Sequence, residues 1–242
     1  AGSTRDCELS GRIAEAVGDL ERLTGVYAGR AYLARARGDG EAALGHARRA
    51  VEVAERLASP LAQAQSYEAL GIAHLAREEW DAAAAALEHG VSMIRTHQVG
   101  GGDEPFYLAE LVEAHVGRGD LVAARARADE ALAQAHQRGS SFAETEALVA
   151  LARVLARAEP LDRAAAEAAL DRAAALGEEV GLAAMVPVMH EIRAEVLRRS
   201  GDVRGAAALL ARAAELHEGM GAPREAARLR TAGGGQAAAT PA

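Results

Sequence analysis

The sequence predicts an all-α chain built as a solenoid of stacked helix pairs, and three observations carry that reading. Alanine makes up about a quarter of the 242 residues, whereas Phe, Trp and Tyr together make up 3%. A single deep core needs large side chains to fill its centre, while alanine suits thin layers in which helix backbones come close together. Second, "LVEAHVGRGDLVAARARADEAL" (111–132) has near-copies in "LGIAHLAREEWDAAAAALEHGV" (70–91) and "EVLRRSGDVRGAAALLARAAEL" (195–216). Third, the breaks inside these copies recur about every 40 residues, a spacing typical of units that each supply one supersecondary element to a stack.

The breaks fall at Gly38-Asp39, Glu78-Glu79, Gly119-Asp120 and Gly201-Asp202, with an irregular one at Glu159-Pro160-Leu161-Asp162. Before each break lies a small or compact residue, in order Ala31, Gly71, Val112, Ala152 and Ala194, where a first helix must let its partner approach. After each break a second helix carries an i, i+4, i+7 stripe: Ala43, Ala47 and Ala50; Ala83, Leu87 and Gly90; Ala124, Ala128 and Ala131; Ala166, Leu170 and Ala173; Ala206, Leu210 and Ala213. That spacing places each set on one helical face.

Proline agrees with this register. Pro60, Pro105 and Pro223 stand where a first turn needs no N–H from them. Pro187 either kinks the fifth unit's first helix or starts it. Residues 1–7 read as an unstructured start and 8–19 as a partial or capping helix. The array spans 20–221, a short helix 222–230, and a tail poor in large side chains, 231–242, is expected to be disordered.

With 27 basic and 35 acidic residues the formal charge is −8, which gives no basic surface for nucleic acid or an anionic membrane. Lysine and asparagine are absent; together with the abundance of alanine and arginine, this points to a GC-rich bacterial gene. Cys7 is the only cysteine, so no internal disulfide or multi-cysteine metal site forms, and the expected location is cytoplasmic.

The eight histidines show no HExxH and no i, i+4 pair. His74 and His115 occupy equivalent positions in adjacent units and read as rings in the packing layer. Gly100-Gly101-Gly102 lacks the Gly-Lys-Ser/Thr of a phosphate loop, and Gly139-Ser140-Ser141 lacks a nucleophile elbow; they read as a connector and as a turn with a helix cap. No enzyme activity and no cofactor is expected.

Tyr67-x-x-Leu70-Gly71-x-x-His74, followed by Ala83, Leu87 and Gly90, resembles a tetratricopeptide repeat, in which an aromatic, Leu-Gly, a second aromatic and spaced alanines recur. Five units match in spacing, with a period near 40 in place of 34 and with His74 and His115 at an aromatic position. The Ala-Arg-rich repeats and "ELHEGMGAPREAARLR" resemble more narrowly the C-terminal arrays of large bacterial ATP-dependent regulators, of the maltose-regulon-activator (LuxR) type or the cyclase–ATPase–tetratricopeptide type. Residues 8–17 look like a second helix whose own first helix is missing, as in a piece of a longer array.

The resemblance implies a right-handed superhelix of about five helix pairs with a concave groove lined by first-helix residues. Carried over position by position, the groove holds Tyr32, Arg35, Gln65, Glu68, Ile72, Phe106, Glu113, Glu146, Arg153, Glu191, Glu195 and Arg198. It implies a non-enzymatic interaction or effector-sensing module, the regulatory arm of a larger signalling or transcription regulator, with a basic-amphipathic protein segment as the expected partner. Tyr32, Phe106 and Arg153 are the expected anchors. The alternative is an oligomerisation scaffold joined through the array ends. The clamp that some tetratricopeptide co-chaperones use on a C-terminal carboxylate needs groove lysine and asparagine, and this chain has neither.

Overall fold

The structure, a computed structural model, describes the backbone of residues 2–237 and the side chains of 9–14 and 16–234. Helices account for all of its regular secondary structure, and no strand occurs among the described residues. The contacts divide the chain into two units, 1–118 and 119–242.

The first unit contains α1 (Gly2–Val17), α2 (Leu20–Ala36), α3 (Gly40–Leu57), α4 (Pro60–Leu75), α5 (Trp80–His97) and α6 (Glu104–Gly117). Helix α3 lies between α2 and α4, α5 between α4 and α6, and α2 also touches α4, which in turn touches α6. First helices α2, α4 and α6 therefore form one layer. The second unit contains α7 (Leu121–Arg138), α8 (Ser141–Leu155), α9 (Arg163–Val180), α10 (Val186–Arg199), α11 (Val203–Gly219) and α12 (Pro223–Ala237). There α8 packs on α7 and α9, and α11 packs on α10 and α12.

Each break works as a stop followed by a start. Gly38, Gly119 and Gly201 take left-handed φ values of 71°, 78° and 89°, which end a first helix without a Cβ penalty. Asp39, Asp120, Asp162 and Asp202 then accept the N–H of the third residue on, satisfying one of the free donors of the next helix. In the second repeat Glu78 takes the left-handed position at φ 59°, and Glu79 makes no side-chain cap. The Glu79 carboxylate is instead held by His74 Nδ1 at 2.6 Å and Arg77 Nε at 2.8 Å. His74 thus serves the turn, while His115 is buried.

Every residue of the small-residue stripes is buried, and so are Ala31, Gly71, Val112, Ala152 and Ala194. At two positions the absence of a side chain is itself a packing device. A Cβ on Gly71 would collide with Leu87, and one on Gly117 would collide with the Trp80 ring.

The two terminal helices are longer than expected, and of the two readings of Pro187 the structure has the helix start. The first helix reaches back to Gly2, and α12 runs on to Ala237 through Gly233–Gly235, a stretch expected to be disordered. The side chain of Cys7 and residues 238–242 of the expected tail lie outside the described residues. Pro187 starts a helix: a 3₁₀ turn at Ala183–Met185 precedes it and Pro187 sits in the first turn of α10.

Candidate functional site

The expected groove residues separate into two groups, one in each unit. In the first unit Tyr32 and Arg35 project from α2, and Gln65 and Glu68 from α4. Phe106 and Glu113 come from α6, and the structure adds Tyr107 and Glu110 beside them. Arg35 reaches past the intervening repeat to α6, its Nη1 2.8 Å from Glu110 Oε2 and its Nη2 3.2 Å from Glu113 Oε2.

Beside this bridge the hydroxyls of Tyr32 and Tyr107 both donate to the Glu68 carboxyl, so three first helices meet at one acidic group. Burial pushes the Glu68 carboxyl up to about 8, against the two tyrosine hydrogen bonds, and the neighbouring charges of Glu110 and Asp103 add to the rise. Burial and the Glu68 charge raise both phenols well above their ordinary value. Tyr107 is 1% exposed, whereas Tyr32 keeps 37% of its surface open. Gln65 is exposed and Phe106 half-buried. Ile72 belongs to the packing layer: at 2% exposure it faces the core.

In the second unit Glu146 and Arg153 stand on α8, and Glu191, Glu195 and Arg198 on α10. The carboxylates of Glu191 and Glu195 are matched by cationic side chains. Arg198 holds Glu195 through Nε at 3.0 Å and Nη2 at 2.6 Å. Arg228, on α12, places Nη2 2.7 Å from Glu191 Oε2, and His217 Nε2 lies 3.4 Å from Oε1. Burial alone would raise the Glu191 carboxyl, but the His217 hydrogen bond and the Arg228 charge outweigh it and hold it below the usual range. A recess of about 220 Å³ opens beside these residues, with Arg153, Arg157, Arg198 and Arg228 in its wall and Ile192, Leu210 and Leu229 as apolar lining.

Sequence reasoning missed Tyr107, Glu110, Arg157, Arg228 and His217. Tyr107 follows Phe106 by one residue and falls outside the carried-over register. Arg228 lies on the short helix expected at 222–230, beyond the array whose groove the register describes. Among the described residues no group of three or more His, Cys, Asp or Glu side chains could hold a metal ion. Gly100–Gly102 forms the turn between α5 and α6, and Ser140 caps α8 by accepting the Ala143 N–H at 3.2 Å. No described helix is long and apolar enough to cross a membrane.

No protein-family pattern matches the chain, and no curated protein sequence matches it. Solved structures do. BtubC (BKLC) from P. vanneervenii superposes with a TM-score of 0.61 at 19% identity, over 90% of this chain and 89% of that one. The TPR-like repeats of a putative kinesin light chain from P. anserina superpose with a TM-score of 0.51 at 16% identity, over 83% of this chain and 97% of that one. At these identities the likeness concerns architecture, and the chain has the fold of a tetratricopeptide-like helical repeat array.

Proposed function

We propose that the chain is a non-enzymatic interaction module whose first-helix faces receive a protein segment and relay its presence to an attached domain, as the regulatory arm of a larger bacterial signalling or transcription regulator. The observation that carries this reading is the convergence of Tyr32, Glu68 and Tyr107 beside the Arg35–Glu110–Glu113 bridge. Side chains from three successive repeats form one polar surface, while the small-residue stripes of the second helices are used up in packing. Beside the largely protonated Glu68, the carboxylates of Asp103, Glu110 and Glu113 face one guanidinium, so a segment with basic side chains and an apolar face suits this surface.

The test is to isolate the partner with the natural full-length protein and compare affinities of variants. Tyr32→Ala and Phe106→Ala are expected to cost more than about 1 kcal/mol each, and Arg48→Ala, on the exposed side of α3, almost nothing. Equal weakening by Arg48→Ala and Phe106→Ala would overturn the assignment.

A second reading, self-association through an array end, is favoured by one feature. Leu9, Ile13 and Val17 form a stripe on α1 that is 49%, 47% and 71% exposed. It requires a concentration-dependent dimer in sedimentation or light scattering, abolished by Ile13→Glu. A monomer at all concentrations removes it.

A further inference from the structure

The carboxyl groups where α2, α4 and α6 meet are of two kinds. Glu110 and Glu113 share the guanidinium of Arg35, at 2.8 and 3.2 Å. Glu68 has two hydroxyl partners, Tyr32 and Tyr107, and among the described residues no cationic one. Glu110 and Asp103 act on it as well, so a negative charge at Glu68 is repelled from α6 and from the turn before it. The proton that the carboxyl keeps up to about 8 removes that repulsion. From the other elements packed on α4, His89 of α5 stacks on Tyr67 with ring centroids 4.2 Å apart, Arg95 of α5 holds Glu104, and Glu41 of α3 pairs with Arg77 beyond the end of α4. None of these contacts involves Glu68.

The group is fixed on one side and accessible on another. The Tyr107 ring is 1% exposed and fills the space beside Gly90 of α5, so its hydroxyl has little freedom to leave Glu68. Tyr32 leaves 37% of its surface open, and Glu68 itself is only half-buried. A side chain arriving from solvent can therefore reach the carboxyl past the Tyr32 ring. Its natural complement is a cation, because Arg35 is already committed to the two glutamates of α6.

We propose that Glu68 exchanges its proton for an arginine side chain of the bound segment, so that this surface holds its partner more tightly as pH rises. The inference rests on the reading of the first-helix faces as a protein-binding surface and adds one anchoring contact and its control. The exchange balances. The free chain carries a proton on one Glu68 oxygen, the complex carries a guanidinium there, and the proton passes to the solvent. The tyrosine hydroxyls go on donating to the carboxylate and spread its charge. The open face of Tyr32 gives a planar guanidinium a ring to stack on, which a lysine ammonium uses less well. The sign follows from counting protons: the free chain binds one more than the complex, so affinity rises about tenfold per pH unit while free Glu68 is protonated, and levels off above about 8.

The experiment is an NMR titration of the full chain, isotope-labelled at its glutamate carboxyl carbons, with benzylguanidinium and with its neutral isostere benzylurea. Benzylguanidinium stays charged at about pH 7 and about pH 9 alike, so a change in affinity between them belongs to the protein. Saturable binding is expected with a midpoint on the order of millimolar at the higher pH, and about tenfold weaker at the lower. At the lower pH the Glu68 carboxyl signal should move to its ionised position as the site fills, a result read on the natural chain alone. Benzylurea should bind at least about tenfold more weakly than benzylguanidinium at the higher pH. Glu68→Gln should lose about tenfold in benzylguanidinium affinity there, together with the pH dependence, with its circular dichroism unchanged. Four results would overturn the proposal: equal benzylguanidinium affinity at the two pH values, equal binding of benzylurea, an unchanged pH dependence in folded Glu68→Gln, or no saturation at the higher pH. In each of these cases a lowered partner affinity of Phe106→Ala still upholds the protein-binding surface, so the two readings fail separately.

Discussion

The ring of Tyr107 occupies the space that a side chain on Gly90 would need: a Cβ there would stand 2.7 Å from Tyr107 Cε1 and 3.0 Å from Cδ1. A residue in the middle of α5 thereby sets the position of a phenol on α6, and that phenol holds Glu68 on α4. Gly-to-Ala changes inside helices ordinarily stabilise by up to about 1 kcal/mol. At Gly90 the rigid ring cannot step aside, so overpacking wins and Gly90→Ala should destabilise by about 1–3 kcal/mol. Gly45→Ala on α3, where nothing lies within 4 Å of the added atom, should instead stabilise. Urea unfolding of the two variants checks the opposite signs, and a gain at both positions would mean that Tyr107 does not sit against α5.

Glu68 makes stability depend on pH in a defined direction. The folded chain keeps its proton up to about 8, while the unfolded chain releases it near the ordinary value of 4.5. Between these values the folded state binds more proton, so this group's contribution is complete below pH 4.5, falls as pH rises, and levels off above about 8. Glu68→Gln keeps both tyrosine contacts possible and does not titrate. The stability difference between the variant and the natural chain should therefore shift in favour of the variant between pH 4.5 and 8, by a few kcal/mol at most at about 1.4 kcal/mol per pH unit. Denaturation midpoints across that range would show parallel curves if Glu68 were an ordinary exposed carboxylate.

The helix pairs could be read from the sequence because their signals are local. Gly-Asp breaks state a stop and a start within two residues, and a stripe such as Ala124, Ala128, Ala131 repeats with the helical period whatever it packs against. Arg35, Glu68 and Glu113 could be placed on first helices by the same register. Their partners could not, because they depend on distances between repeats. Nothing local to Arg35 says that it meets Glu110 and Glu113, 75 and 78 residues away. Ile72 shows the reverse limit: a register position one residue after Gly71 reads as groove, yet the burial of that side chain is decided by how closely α4 and its neighbours approach.

The second repeat has a glutamate in the left-handed turn position where three other repeats have glycine, and that difference has a measurable cost. Glu78 adopts φ 59° where Gly38, Gly119 and Gly201 stand in the equivalent turns. A Cβ in the left-handed region costs about 1–2 kcal/mol, partly offset by the greater freedom glycine has when unfolded. Glu78→Gly should thus raise stability by up to about 1 kcal/mol. Gly38→Ala, which puts a Cβ at φ 71°, should lower it by about the same amount. Melting temperatures moving in the same direction for both variants would rule out equivalent turns.

The bridge from α2 to α6 is the interaction most open to dissection. Arg35, Glu110 and Glu113 are each about three-quarters buried, with side-chain exposures of 27%, 23% and 23%, so solvent screens them less than surface pairs. Arg35→Ala leaves two carboxylates, one helical turn apart on α6, without the cation between them. The expected loss is about 1–3 kcal/mol, the range for hydrogen bonds to charged groups. Arg35→Lys should recover only part of it, because a single ammonium cannot span two acceptors as a guanidinium fork does. In a Glu110→Gln/Glu113→Gln background the Arg35→Ala cost should shrink to a few tenths of a kcal/mol, since the repulsion and the pairing have both gone. If Arg35→Ala costs the same with and without the two glutamates, then Arg35 stabilises through the packing of its alkyl stem, and the bridge does not tie the first repeat to the third.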